Sequence, residues 1–338
     1  MQYLYVLVSE ETDFYYEQFL LSVTSLKLVM PNATVVLLCD LDTKKTLVGK
    51  RSLHEELVSE TLFVKAPIGM LRVEVSRWLK TSMRRYVTGD FIFIDCDTVV
   101  IEDLSSIDWM DIKFGACLDK HTLINRHSKN YDIIRKDKRL GFTSYLSNKH
   151  INSGVIFCAD IPETHRIFDR WHELWSFSNS KNIVRDQPAF NMAILENQSV
   201  FTELDGTWNC QISFNGLPFL ANSKIIHYFA SDAILRTSPF LLASNEIFAK
   251  IKSTGEIPAR VIELLKSPRT AFAPEARIVA GEEVLSVVNS SIFEFLILIR
   301  RRMPPLFIFL DVISTIIKRI LKHLVLKTGG KRDGRTYN

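Results

Sequence analysis

The stretch "FIFIDCDTVVIED", residues 91–103, places two carboxylates one residue apart at the end of an apolar run. Side chains alternate across a strand, so Asp95 and Asp97 are predicted to project to one side while Cys96 points to the other. Two acids on one side make a site for a cation. Asp is also common directly after strands, where it forms turns or caps the next helix, so the pair alone does not establish a function.

Two chemistries use the DxD pattern. One is a divalent-metal clamp for a nucleotide diphosphate. The other is an aspartyl nucleophile of phosphatase type, hhhhDxDxT, which "FIFIDCDTV" also matches. The remainder of the chain has to distinguish them.

The first hundred residues predict an α/β fold. Short apolar runs alternate with amphipathic stretches, the runs being "YLYVLVS", "TVVLLCD", "TLFVKA" and "FIFIDCD". This alternation predicts a Rossmann-like, mostly parallel central sheet flanked by helices. Ligands bind at the carboxyl ends of such strands, where "SEETDFY", Asp40 and the DxD pair fall.

Three segments are predicted along the chain. Residues 1–235 form the sheet-centred catalytic domain, residues 236–285 a helical or irregular extension, and residues 286–338 a basic tail. With 338 residues, 47% apolar and 24% charged, the chain has the composition of a globular protein.

Cysteine usage and the N-terminus indicate a cytoplasmic protein. The five cysteines form no CxxC pair and most lie in apolar runs, as buried free thiols of a reducing compartment do. The N-terminus lacks the basic segment of a signal peptide. No run reaches the roughly 18 to 20 apolar residues of a membrane-spanning helix.

The positive charge is concentrated in the tail. Residues 286–338 hold ten Lys or Arg against three Asp or Glu, whereas the other 285 residues hold 32 against 35. "LFIFLDVISTIIKRILKHLVLK", residues 306–327, spaces its polar residues by three, four and seven, which predicts an amphipathic helix between Pro304–Pro305 and Gly329–Gly330. Apolar faces with basic borders favour an anionic membrane surface, and packing on the catalytic domain or on another subunit is the alternative. No nucleic-acid site is expected, because bulky aliphatics interrupt every basic face.

The position of DxD favours the metal clamp. A phosphatase of this type carries DxD on its first strand and needs a late acidic pair, but here three predicted strands precede DxD and no late strand ends in paired acids. A metal clamp needs a third ligand from a distant strand. His227, which ends the apolar run of "KIIHYF", is the candidate.

Seven motifs carry a resemblance over residues 1–230. In chain order they are "YVLVSEETDFYYEQFLLSVTSL", "EVSRWLK", "FIFIDCDTVVIEDL", "HINSGVIF", "RDQPAFN", "LDGTWN" and "IIHYF". The set resembles the GT-A glycosyltransferases and is most similar to glycosyltransferase family 8, which includes bacterial lipopolysaccharide and lipooligosaccharide galactosyl- and glucosyltransferases. The resemblance implies transfer of a hexose from a UDP-sugar, with retention, to a saccharide or lipid-linked glycan of the cell surface. A phosphatase or nucleotidyltransferase that shares DxD is the alternative function.

The resemblance also implies a metal site. Asp95 and Asp97 match the acids that hold Mn²⁺ (or Mg²⁺), and His227 matches the histidine that completes the set. Arg77, in "VSRW", matches an arginine that reaches toward the diphosphate and donor sugar, although it can equally be a surface charge on a helix. Family 8 members usually continue as HxxGxxKPW, but "HYFASDAILRTSPF" has neither the glycine nor the lysine, and Arg236 is the nearest basic group.

The nucleoside and the sugar have their own predicted contacts. Tyr15 matches a tyrosine that stacks on the uracil, with Ser9 and Asp13 near the base, and Tyr15 in the helix core is the alternative. The residues implied to line the donor sugar are Asn152, Asp186 and Gln187. For two of these a structural role is open: a turn residue for Asn152 and a helix N-cap for Asp186. Asp186 is a plausible nucleophile and Gln187 a poor one, and neither is assigned that role.

Overall fold

The computed structural model of the protein describes residues 1–229, 240–274, 286–288 and 290–328, without the side chains of Trp109 and residues 322–328. The chain divides into two compact units, Met1–Ala280 and Gly281–Asn338. All five cysteines are free thiols.

A seven-stranded sheet with the order β3-β2-β1-β4-β7-β6-β8 forms the centre of the first unit. Its strands are β1 Gln2–Leu7, β2 Thr34–Asp40, β3 Glu60–Val64, β4 Phe91–Ile94, β6 Phe114–Leu118, β7 Ile151–Cys158 and β8 Phe201–Leu204. Only β7 runs antiparallel to its neighbours, β4 and β6, while the other described pairings are parallel. The predicted mixed, mostly parallel α/β sheet is therefore confirmed.

Helices cover both faces of this sheet. They are α1 Tyr15–Val29, α2 Leu41–Thr46, α3 His54–Leu57, α4 Arg72–Ser82, α5 Asn130–Leu140, α6 Pro162–Ser180, α7 Gln187–Glu196, α8 Asn245–Thr254 and α9 Ala259–Lys266. Strand β4 shows why its sequence is apolar throughout: Ile92 and Ile94 belong to the core under α1, whereas Phe91 and Phe93 belong to the core under α4 and α6. A strand buried on both faces has no solvent side on which polar residues can alternate.

After β4 the chain enters a second, three-stranded sheet. Its strands are β5 Thr98–Val100, β9 Cys210–Gln211 and β10 Ile225–His227, in the order β5-β10-β9. Strand β10 runs antiparallel to β5, with His227 opposite Thr98. This pairing brings residues that are about 130 positions apart to the carboxyl end of β4.

The segment predicted as an extension contains α8 and α9, which contact α1. Ile251 and Val261 are buried in the same core as Phe19. Residues 236–239 and 275–285 of this segment lie outside the described residues, and the division of the chain at residues 235 and 285 stays a prediction.

Among its described residues the second unit contains two long helices that pack on each other, α10 Ser291–Arg302 and α11 Pro304–Thr328. Helix α11 begins at Pro304 itself and not after Pro305, because the first turn of a helix needs no N–H donors. The large apolar side chains exposed along α11 are Ile308, Phe309, Val312, Ile313, Ile316, Ile317, Ile320 and Leu321. Gly329 and Gly330, predicted to end it, are not among the described residues. Within the part of the chain that the structure describes, no helix has the length and apolar composition needed to cross a bilayer.

Candidate active site

Asp95 and Asp97 lie in the bend between β4 and β5. The main-chain N–H of Asp95 donates to the carbonyl of Gly154 on the antiparallel strand β7 (2.8 Å), and Thr98 Oγ1 donates to the carbonyl of Asp95 (2.9 Å). One ligand atom from each of Asp95, Asp97 and His227 lies within 4.8 Å of the others. The structure thus brings together the three residues that the sequence predicts as metal ligands.

A chain of hydrogen bonds determines which nitrogen of His227 faces this cluster. Asn152 Nδ2 donates to Asp119 Oδ1 (2.7 Å), Asn209 Nδ2 donates to Asn152 Oδ1 (2.9 Å), and His227 Nδ1 lies 3.0 Å from Asn209 Oδ1. Because an ionised carboxylate only accepts, each amide is oriented in turn and Nδ1 of His227 carries the proton. Nε2 then presents its lone pair to Asp97 Oδ1 at 3.2 Å. Two acceptors at that distance require a cation, either a second proton or a metal ion.

Asp119, at the far end of this chain, is held ionised. Burial alone would raise the pKa of Asp119, but the hydrogen bond from His127 and the nearby His150 outweigh it and hold the pKa well below its usual range. His127 Nε2 lies 3.0 Å from Asp119 Oδ2. The negative charge of Asp119, acting through Asn152 and Asn209, therefore keeps the proton of His227 on Nδ1.

The imidazole of His227 occupies the space where a side chain at Gly154 would lie. A Cβ atom at this position would lie 2.4 Å from Cε1 and 2.8 Å from Nδ1 of His227. Only glycine permits this close approach between β7 and the imidazole.

The two clustered acids have different electrostatic environments. Burial, opposed by Lys80 and reinforced by Asp97, raises the pKa of Asp95. Burial would also raise the pKa of Asp97, but the positive charge and the hydrogen bond that His227 supplies when Nε2 is protonated reverse the effect and lower it. Two half-buried carboxylates this close favour any cation that can lie between them.

Lys80 and Arg77 supply positive charge from one face of α4, three residues apart. Lys80 is 3% exposed as a residue, and its ammonium lies 3.0 and 3.2 Å from the oxygens of Asp95 and 3.9 Å from Asp186 Oδ2. Arg77 Nε lies 3.4 Å from Asp186 Oδ1, and Ser153 Oγ donates to Asp186 Oδ2 (2.9 Å). Burial would raise the pKa of Asp186, but Lys80 and Arg77 lower it, so Asp186 is ionised.

The loop after β1 holds the residues predicted near the base. Ser9 Oγ donates to Asp13 Oδ1 (2.6 Å) and accepts from Arg51 Nη2 (2.7 Å). The main-chain N–H groups of Glu10 and Tyr15 donate to Asp13 (2.7 and 3.0 Å). The side chain of Tyr15 is 44% exposed at the start of α1, so the alternative that places it in the helix core is wrong.

The remaining predicted residues have distinct positions. Asn152 is buried on β7 and is not a turn residue. Asp186 occupies the N-cap position of α7 but makes no side-chain capping bond, because its carboxylate faces Ser153 and α4 instead. Gln187 is the first residue of α7, and Arg236 lies outside the described residues.

Sequence reasoning missed Lys80, Asp119 and Asn209. Lys80 follows Arg77 by three residues, and that shared helix face was the one available signal. Asn209 ends the motif "LDGTWN", which marked the segment but not this role, and Asp119 had no signal, because the role of each depends on contacts with residues far away in the chain.

Residues 88–232 match the family model described as "Glycosyl transferase family 8". The chain is a glycosyltransferase resembling family 8. The match spans the metal cluster and the residues around Asp186, and it decides against the phosphatase alternative. The match therefore implies a nucleotide-sugar donor and a glycan acceptor for this glycosyltransferase.

Several solved structures resemble this glycosyltransferase. The galactosyltransferase LgtC, in complex with donor and acceptor sugar analogues, is 13% identical with a TM-score of 0.48, covering 78% of this chain and 99% of that chain. Mouse xyloside xylosyltransferase 1, in its apo form, is 14% identical with a TM-score of 0.44, covering 67% and 96%. GlyE of Streptococcus pneumoniae TIGR4 is 12% identical with a TM-score of 0.44, covering 82% and 66%. No curated protein matches the chain in sequence.

The donor set of this glycosyltransferase suits a hard divalent cation. It offers two carboxylates and an imidazole whose outer nitrogen is already engaged by a neighbour, the arrangement in which protein histidines usually bind metals. Asp95, Asp97 and Nε2 of His227 are the atoms that would hold the ion.

Proposed function

We propose that this glycosyltransferase transfers a hexose from a UDP-sugar, with retention, to a saccharide or lipid-linked glycan in cell-surface polysaccharide biosynthesis, and that it requires Mn²⁺ or Mg²⁺. The observation that carries the metal requirement is the approach of His227 Nε2 to Asp97 Oδ1, at 3.2 Å, with the proton of the ring committed to Nδ1.

The reaction requires positively charged groups of the protein next to the leaving diphosphate. As the bond from the anomeric carbon to the phosphate oxygen breaks, negative charge builds on the diphosphate; a divalent cation held by Asp95, Asp97 and His227 would supply positive charge there. Arg77 adds a fixed cation. Its guanidinium pairs through Nε with Asp186, which leaves its other N–H groups available for phosphate oxygens.

Asp186 faces the donor sugar in this proposal. The carboxylate is ionised and oriented by Ser153, Arg77 and Lys80, so it can position a sugar hydroxyl or attack the anomeric carbon. Gln187, next in the chain, lines the same side, whereas the buried amide of Asn152 is engaged by Asp119 and Asn209 and acts through His227. On the other side Tyr15 stacks on the uracil, and the loop that carries it is held by Asp13.

The tail places the enzyme at its acceptor. We infer that α11 lies on the inner face of the cell membrane, because its apolar side chains are exposed on a helix and Arg300, Arg301 and Arg302 end the preceding helix. The enzyme is then cytoplasmic and peripheral, and a lipid-linked acceptor is presented at that surface.

Thermal-shift measurements with UDP, GDP and CMP, each with and without Mn²⁺, test the donor and the metal together. The expected result is stabilisation by UDP that grows with Mn²⁺, and release of UDP from the matching UDP-hexose. Stabilisation by GDP or CMP alone, or by UDP equally with a chelator, would contradict the proposal.

A further inference from the structure

A pocket of about 350 Å³ opens between α5 and the segment 182–185 that precedes α7. Four of the side chains that line it are cationic: Arg135, Lys136, Arg139 and Arg185. None of the residues predicted from the sequence to bind the donor or the metal belongs to it.

The charges that line this pocket are not balanced. Asp132 accepts from Arg135 Nη2 (2.7 Å) and from Lys136 Nζ (2.9 Å), so one carboxylate serves two cations. Arg139 Nη2 donates to a neutral group, the carbonyl of Lys181 (2.7 Å). The exposed Arg185 side chain makes no hydrogen bond or ion pair with any described residue. Four cations against one carboxylate attract an anion.

The walls of the pocket are held in place before any ligand binds. The buried indoles of Trp175 and Trp171 donate to the carbonyls of Val184 (2.9 Å) and Asp186 (3.2 Å), on either side of Arg185. The bond from Arg139 to Lys181 joins α5 to the opposite wall. A preformed site loses little conformational entropy on binding.

The pocket adjoins the active site along the chain. Arg185 directly precedes Asp186, whose carboxylate faces Arg77, Lys80 and Ser153 on the donor-sugar side. We propose that this pocket binds an anionic group, a phosphate monoester or a carboxylate, carried by the glycan acceptor. One guanidinium group can bind two oxygens of a phosphate or carboxylate at once, which orients the ligand and also adds affinity. The assignment to the acceptor rests on the proposed function.

Binding of glucose 6-phosphate to the full-length protein tests the pocket, with glucose as the uncharged probe and with UDP and Mn²⁺ present to fill the donor site. The double variant Arg139→Gln/Arg185→Gln is expected to lose about tenfold or more in affinity, the scale for hydrogen bonds to charged groups. Lys138→Gln, an exposed change on the same helix but outside the lining, is the matched control and should stay within about twofold. Equal affinity in the parent and the double variant overturns the proposal.

Further measurements separate the remaining outcomes. If the double variant loses affinity for phosphatidylglycerol vesicles but not for glucose 6-phosphate, the anion is a lipid headgroup and the acceptor assignment is wrong. If the parent binds glucose 6-phosphate but no UDP, the proposed function fails and the pocket stands. If the double variant does not fold, the single change Arg185→Gln, at an exposed side chain, gives the same test.

Discussion

In this glycosyltransferase the Nε2 atom of His227 lies 3.2 Å from Oδ1 of Asp97, while Asn209 engages the other ring nitrogen. The relationship is unfavourable without a cation, because both atoms are acceptors when the proton is on Nδ1. Binding of a metal ion between these two atoms would remove the repulsion, and that binding can be measured.

Removing the charge of Asp97 should remove the metal. We expect Asp97→Asn to weaken Mn²⁺ binding by about 100-fold or more, because a ligand contributes at least as much as the neighbours that orient it. Calorimetric titration with Mn²⁺ measures this, and thermal melting checks the fold. Asp103→Asn, an exposed acid outside the cluster, is the control. Full transfer activity of the parent in chelator would disprove the metal requirement.

Lys80 should contribute to stability through the two acids that it contacts, the buried Asp186 and the half-buried Asp95. In Lys80→Met, Asp95 and Asp186 lose their nearest ammonium, and we expect the free energy of unfolding at pH 7 to fall by about 3 kcal/mol. Added Mn²⁺ should recover part of the loss, since it returns positive charge to Asp95. Denaturant titration measures both effects, with the exposed Lys45→Met as control. An unchanged unfolding midpoint in Lys80→Met would show that the contact is energetically neutral.

Asp137 should make stability depend on pH. Burial raises the pKa of this carboxyl to about 6. The native state therefore holds a proton that the unfolded chain releases, so this contribution to stability is complete below about pH 4 and is lost as the pH rises to about 6. The loss is about 3 kcal/mol at most. We expect Asp137→Asn to be more stable than the parent at pH 7 and to show a flatter profile between pH 4 and 6, whereas the exposed Asp111→Asn keeps the parental profile. A parental profile in Asp137→Asn would contradict the shift.

Tyr15 should contribute to UDP binding and not to folding. We expect Tyr15→Ala to weaken UDP by about 1 to 3 kcal/mol, the scale for loss of a base-stacking aromatic. The side chain is largely outside the core, so the melting temperature should not change. Tyr15→Phe keeps the ring and should keep the affinity. A drop in stability with unchanged UDP affinity would assign Tyr15 a structural role.

The apolar side of α11 should bind anionic membranes. We expect Ile313→Asp/Ile317→Asp to abolish binding of the full-length protein to phosphatidylglycerol vesicles, because charge on the buried side opposes insertion. Ser314→Asp/Thr315→Asp adds the same charge to the polar side and should reduce binding much less. Vesicle sedimentation measures both. Equal loss in the two double variants would indicate an electrostatic effect without insertion.

The sequence alone determined the alternation of strands and helices and the position of Asp95 and Asp97 at a strand end. These follow from local periodicity: a strand covered on both faces is apolar along its length, and its polar residues fall at its tip. His227 could also be predicted, since an imidazole at the end of a late apolar run completes a known ligand set. The amphipathic tail helix was predictable from its spacing, although its first residue was not.

Tertiary structure decided the contacts that give those residues their properties. Lys80 reaches Asp95 because α4 packs on β1 and β2, and β1 is the neighbour of β4 in the sheet. No local pattern distinguishes a buried lysine from a solvated one on a helix. The bonds from Asp119 through Asn152 and Asn209 to His227 join parts of the chain that only the antiparallel strand β7 and the pairing of β5 with β10 bring together. Gly154 acquires its role from the same pairing, because its missing Cβ matters only where another strand places an imidazole against it. Such long-range contacts have no signature in neighbouring residues, which is why the ligands could be predicted from the sequence but not the groups that orient them.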